Sequence, residues 1–340
     1  MNQTPLAPMG VGKLLDRSFS VYRQHFGAFF LLALLLFGPL LLLQNLMLMD
    51  LTSMPFLYQE TTEEEFWEAL AERFTSSDAF LTESIALVLV YLFLILPITT
   101  LVSYPQLMGS SLLMTRAVVE GRTIGIMPAL RQSFSRFWPL AGSTILYILI
   151  MIGIFFAFTL FCVLFFFLCA VAIGVSFEGL FSGTDEVGSI LAVLLILVAY
   201  LVFLVGVMLV PGFFILRWGF YLPYVLLEEE GVGLSKSWKL TKGNFWRLFA
   251  LYFVLMVIYS TLSGGMQIML AGALGTSLVS SLLQILVTCL LMPWMMIVYA
   301  LAYLDLRVRK EGTDLQALLN QQPIEEPATV PAQMSGEQHE

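Results

Sequence analysis

Long apolar runs alternate with polar segments along the chain, and six of the runs, beginning near Phe26, Ser84, Pro139, Ser189, Phe245 and Ser277, are long enough to cross a bilayer. A crossing needs about 20 helical residues. Lipid offers no partner to a bare backbone, so such runs predict helices. The second, third and fourth exceed the minimum, and Pro97 with Pro105, or Pro211 with Gly212, are expected to tilt, kink or break them. Between runs the period changes. Val11, Leu14, Leu15, Ser18 and Tyr22 form one helical stripe and Met127, Leu130, Phe134 and Phe137 another, with lysine and arginine on the remaining face. These segments predict amphipathic helices in the headgroup layer, with aromatics at the apolar boundary and cations reaching water or lipid phosphate. The expected fold is therefore all-α and polytopic: six transmembrane helices with interfacial elbow helices.

The elbows look repeated. LDRSFSVYRQHFGAFF (Leu15 to Phe30) aligns without a gap to LSKSWKLTKGNFWRLF (Leu234 to Phe249), matching Arg17 to Lys236, Ser18 to Ser237, Phe19 to Trp238 and Arg23 to Lys242. A shorter copy, LRQSFSRFWPL (Leu130 to Leu140), keeps Ser133, Phe134, Arg136 and an aromatic pair. Three parallel units of elbow plus helical hairpin are expected, packed about an axis along the membrane normal.

Charge sets the orientation. Fifteen of the sixteen basic residues fall in Lys13 to Arg23, Arg116 to Arg136, Arg217 to Arg247 and Arg307 to Lys310. The intervening loops hold Arg73 and twelve acidic residues, Glu60, Glu63, Glu64, Glu65, Glu68 and Glu72 among them. The positive-inside rule places both termini in the cytoplasm. The chain then divides into a cytoplasmic N-terminus with an interfacial helix (1–25), a membrane domain (26–304), a charged helix end (305–319) and a disordered acidic tail (320–340). The membrane domain has an outward acidic loop at 49–83 and inward basic loops at 116–138 and 217–244. Paired spacings, Asp305 with Arg309 and Arg307 with Glu311, extend the last helix until Gly312 is expected to end it. No small-residue cleavage site follows the first apolar run, which is expected to remain as a span.

The interfacial cations have two readings that share their physics. In the first, Lys236, Lys239, Lys242 and Arg247 set topology, with Trp238 and Trp246 as apolar anchors. In the second, the same residues hold anionic lipid headgroups, each cation near such a surface contributing about 1 kcal/mol. Arg17, Arg23, Arg131 and Arg136 occupy corresponding places on the other elbows and share the candidacy.

The run from Phe220 to Phe249, FYLPYVLLEEEGVGLSKSWKLTKGNFWRLF, followed by YLDLRVRKEGTDLQ from Tyr303 to Gln316, resembles the membrane domain of some bacterial glycerophosphoryl diester phosphodiesterases, which also occurs as stand-alone membrane proteins. Pro223, Glu230 with Gly231, Ser237 to Trp246, and Asp305 to Gly312 carry the likeness, and DRSFSVYRQHF (Asp16 to Phe26) is similar too. The resemblance implies a multi-pass protein of the bacterial cytoplasmic membrane. A phosphodiesterase barrel of about 250 residues has no room here, and the histidines are His25 and His339 alone. The expected role is non-enzymatic: a scaffold or partner of other membrane proteins, in contact with anionic lipid.

Composition narrows the remaining chemistry. The 340 residues are 59% hydrophobic and 12% charged with a mean hydropathy of +0.89, which belongs to the polytopic class. A net charge of −8 makes nucleic acid a poor partner. Cys162, Cys169 and Cys289 lie in apolar runs and read as small hydrophobes, and no cofactor pattern is present. In TTEEEFWEALAERF, Thr62 and Glu65 fit a capping box before an acidic helix whose Glu64, Glu68 and Glu72 read as a solvated face rather than a cation site. No ionisable residue sits deep in a span, so the alternative to a scaffold is an uncoupled transporter or channel for a lipid or small neutral solute. Thr99, Thr100 or Ser103 are expected to satisfy backbone freed by Pro97, and Ala271 with Gly275 to permit close helix approach.

Overall fold

A computed structural model describes residues 9–48, 89–172, 186–227, 233–275 and 277–321. All regular structure among them is helical. Six helical stretches are long and apolar enough to span a membrane: Phe26–Met47, Tyr91–Val119, Phe137–Leu168, Leu197–Leu227, Phe245–Leu274 and Leu278–Lys310. We call them spans 1 to 6. The chain is an all-α, multi-pass membrane protein. The segment around Glu65 expected as an acidic helix, the acidic run 228–230 and the tail from 322 lie outside the described residues, as does the Glu311 side chain expected to pair with Arg307.

Three short helices precede the odd-numbered spans: Val11–Gln24, Ile126–Phe134 and Leu234–Thr241. These are the elbows. The second packs on span 2 and the third on span 4, each its neighbour in sequence, while the first packs on span 6 and so joins the two ends of the chain. Span 1 likewise packs on span 6, and span 3 on span 2. The second and third elbows thus pack on the even span before them and the first on span 6, while span 3 packs more on span 4 than on span 2 and span 5 more on span 6 than on span 4.

Span 6 is the most enclosed, with Ile297, Ala300, Leu301 and Tyr303 fully buried, whereas spans 3 and 4 expose phenylalanines and leucines such as Phe156, Phe161 and Leu197. An apolar exterior is what lipid contact requires. Inside, where lipid removes the hydrophobic drive between helices, association depends on close packing by small side chains. Ala300 and Ala302 on span 6, and Gly109, Ser110 and Ser111 on span 2, supply it.

Two expectations about span breaks change. Pro211 sits inside an unbroken helix, Glu186–Trp218, and span 4 breaks about two turns later, at Gly219 and Phe220, before resuming as Tyr221–Leu227. Neighbours satisfy the exposed backbone there: Tyr299 donates its hydroxyl to the Gly219 carbonyl at 2.7 Å, and Ser237 serves Arg217 and Phe220. A proline alone frees one carbonyl, whereas these tailored partners stabilise a complete break. The last helix, Leu278–Gln321, passes through Gly312 instead of ending there; glycine costs a helix only about 1 kcal/mol, which the charged turns around it tolerate.

Around Pro97 the helix widens, and the threonine hydroxyls bond carbonyls other than that of Phe93, the one that a proline at 97 leaves without its N–H. Widened helical turns, Tyr91–Ile95 and Ile98–Ser103, flank the proline, and Thr99 and Thr100 each donate at 2.8 Å to the carbonyls of Ile95 and Leu96. Gly275 is buried and also has a backbone role. It ends the span 5 helix with φ 58°, a conformation that glycine adopts without a Cβ penalty.

Candidate interfacial site

The third elbow starts at Gly233, where φ is 70° and an added Cβ would lie 2.6 Å from the Tyr221 carbonyl. Only glycine lets the chain turn back this tightly. From the helix that follows, Ser237 donates to the Arg217 carbonyl at 2.8 Å and accepts the Phe220 N–H at 3.1 Å, while Thr241 donates to the Ser237 carbonyl at 3.0 Å. The serine of the SWKLT motif therefore seals the break in span 4.

Trp238 lies between the elbow and the same span. Its ring is 5.5 Å from Trp218 and 5.9 Å from Phe213, and the Arg217 guanidinium stands 4.8 Å above it. That is an internal cation–π stack, so Trp238 holds the elbow down more than it dips into lipid. Lys236 lies over the Tyr224 ring at 6.0 Å. Lys239 and Lys242 are exposed, and Trp246 is 77% exposed.

The other elbows repeat the division of faces. Ser18, Ser133 and Ser237, the aligned serines, are all fully buried. Ser18 accepts the indole N–H of Trp294 on span 6 at 3.0 Å, and Ser133 lies where a Cβ on Gly109 of span 2 would be 2.5 Å from its hydroxyl. Outward, the first elbow exposes Phe19 and Arg23; the second exposes Met127 at 70%, Arg131 and, just beyond it, Trp138 at 81%. Arg136 is half-buried and engaged with neighbours. The stripe of the first elbow differs from expectation: Leu14, Ser18 and Tyr22 face protein, not lipid. Tyr22 donates to the Leu290 carbonyl at 2.6 Å, and burial pushes its phenol up to about 12.

Two of the proposed headgroup cations are turned inward. Arg247 pairs with Asp305 and donates to the Met9 carbonyl at 2.9 Å; Arg17 points a guanidinium nitrogen at the Met9 sulfur, 3.7 Å away. As freely exposed anchors these two are replaced by Lys239, Lys242, Arg23 and Arg131. Asp305, fully buried, also receives Arg309 Nε at 3.0 Å and the Met9 N–H at 2.7 Å, and Arg309 donates to the Met9 carbonyl at 2.9 Å. Sequence reasoning saw only the Asp305–Arg309 spacing. The contacts across the chain had no local signal. In the turn after span 2, Glu120 pairs with both Arg116 and Arg122, which hold its carboxyl below the usual range.

A second feature went unread. Gln106, Ser110, Ser111 and Thr115 of span 2 are fully buried, and their side-chain polar atoms have no hydrogen-bond partner. The signal was visible as four polar residues within ten positions of an apolar run.

Fold and site together define a six-span membrane protein with three elbows at one end of the bundle. No family model, curated protein or solved structure matches the chain.

Proposed function

We propose that this is a non-enzymatic scaffold of the bacterial cytoplasmic membrane, a stand-alone member of the glycerophosphoryl diester phosphodiesterase membrane-domain family, whose three elbows rest on anionic headgroups at the cytoplasmic face. One observation carries the reading. Each elbow commits its serine face to the bundle and leaves exposed cations and large apolar side chains outward: Phe19 with Arg23, Met127 with Arg131, and Lys239 and Lys242 with Trp246 close by. Rings of this composition match an anionic surface both electrostatically and by apolar insertion. Other membrane proteins are its expected partners, engaging the broad apolar flanks of spans 3 and 4.

The test is lipid retention through purification in mild detergent, measured for wild type and for the Lys239→Gln/Lys242→Gln variant. Anionic lipid lost from the variant at low salt, with little difference at high salt, supports the reading. Equal retention at low salt removes it. Proteins that co-purify in fixed stoichiometry identify the scaffold's partner.

A second reading, an uncoupled path for a small neutral solute, is favoured by the unpartnered Gln106, Ser110, Ser111 and Thr115 inside span 2. A buried polar atom without a partner costs about 1–3 kcal/mol, so these atoms call for water or a solute. Reaction of a Ser110→Cys thiol with a water-borne reagent, in a background with Cys162, Cys169 and Cys289 replaced, supports this path. Protection equal to that of Leu107→Cys excludes it.

A further inference from the structure

The Met9 clasp carries more positive charge than its acid offsets. Three guanidinium groups converge on Met9: Arg17 from the first elbow, Arg247 from the start of span 5 and Arg309 from the end of span 6. Among the described residues Asp305 is the one carboxylate bonded to them, so three positive charges against one negative leave an excess of two there. Asp16, next to Arg17, is exposed, and Lys13, one turn earlier, adds a further exposed positive charge.

The excess has a direction. Arg247 uses one terminal nitrogen for both Asp305 and the Met9 carbonyl, which leaves its Nε and the other terminal nitrogen buried without partners. Those two N–H groups lie on different edges of the guanidinium, and each still needs an acceptor oxygen. Burying them unsatisfied costs more than for neutral groups. Arg247 and Arg309 remain about a fifth to a third exposed, so the cluster is not sealed.

We infer that Arg17, Arg247 and Arg309 form an anion site for a phosphate group, between the first elbow and the ends of spans 5 and 6. A carboxylate would offset only one of the two excess charges, whereas a phosphate brings up to two and three acceptor oxygens. The phosphate has two sources, a lipid headgroup or a free phosphate in the cytoplasm. The inference deepens the headgroup reading above by naming one built site, and it rests on that reading only for the lipid source.

The experiment measures the thermal unfolding midpoint of the full-length protein in detergent. It is titrated separately with inorganic phosphate, with phosphatidylglycerol in mixed micelles, and with uncharged diacylglycerol. Wild type is expected to gain several degrees with phosphatidylglycerol and none with diacylglycerol; a gain with inorganic phosphate as well assigns the free anion. Arg247→Lys keeps a charge for Asp305 but removes the two unpartnered N–H groups and is expected to abolish the gain. Arg17→Gln leaves the Asp305 pairs intact and is expected to shift the titration at least threefold to higher ligand. The Lys239→Gln/Lys242→Gln variant loses the outer headgroup contacts and should still keep a gain that Arg247→Lys removes. No gain from either phosphate ligand, or an undiminished gain in Arg17→Gln, overturns the site. Loss of the gain in the lysine variant instead assigns it to the outer belt and also overturns the site. The two readings therefore fail separately.

Discussion

Trp294 donates its indole N–H to the hydroxyl of Ser18 at 3.0 Å, across 276 residues of chain. The hydroxyl in turn donates to the Leu15 carbonyl at 2.6 Å. This contact ties the first elbow to span 6. Ser18→Ala leaves a buried indole donor unpaired and is expected to cost roughly 1–3 kcal/mol. Trp294→Phe leaves Ser18 its Leu15 bond, so the double variant should cost less than the sum of the two. Unfolding midpoints of the three variants measure the coupling, and strict additivity would deny it.

The second elbow makes the same junction by close approach. A Cβ on Gly109 would lie 2.5 Å from the Ser133 hydroxyl and 3.3 Å from Leu226 Cδ2. Gly109→Ala is expected to destabilise by about 1–3 kcal/mol through overpacking. Adding Ser133→Ala removes the clashing oxygen, which has no hydrogen-bond partner to lose. Recovery of most of the lost stability in the double variant checks the geometry.

Asp305→Asn is expected to free the N-terminal segment. Removing one partner of a buried ion pair costs roughly 3–5 kcal/mol, and the partial exposure of Arg247 and Arg309 moves the expectation to the low end. Limited proteolysis between Met9 and Lys13 should accelerate in the variant, and addition of salt should not restore protection. Unchanged cleavage would show that the segment is held by other contacts.

Trp238→Ala removes the plate between Arg217, Trp218 and Phe213. We expect a loss of about 2–3 kcal/mol, below the full cost of a core tryptophan because the ring is half-buried. Stacking does not depend on a Debye length, so the loss should be the same at low and high salt. A loss that appears only at low salt would instead make Trp238 a headgroup contact.

Apolar run length and the distribution of lysine and arginine made the six spans and three elbows legible, since both follow from the bilayer as solvent. The aligned serines were legible as a repeat but not as buried caps, because nothing local in SWKLT says that Arg217 will present a bare carbonyl. The break at Gly219 escaped notice for the same reason: it depends on Tyr299 and Ser237, which arrive from other spans. Pro211 drew attention as a stronger local breaker. Arg17 read as an outward cation from its place in the alignment and Arg247 from its cluster with Lys236, Lys239 and Lys242, and only their convergence on Met9 turned them inward.

The central claim is that the three elbows lie at one face of the membrane, in the cytoplasm, with their cations on the headgroups. Lys13→Cys, Arg131→Cys and Lys239→Cys place one exposed thiol on each elbow, again with Cys162, Cys169 and Cys289 replaced. A membrane-impermeant thiol reagent applied to intact cells, before and after permeabilisation of the cytoplasmic membrane, reads their side directly. The account predicts that all three label only after permeabilisation. Labelling of any one of them in intact cells would contradict it.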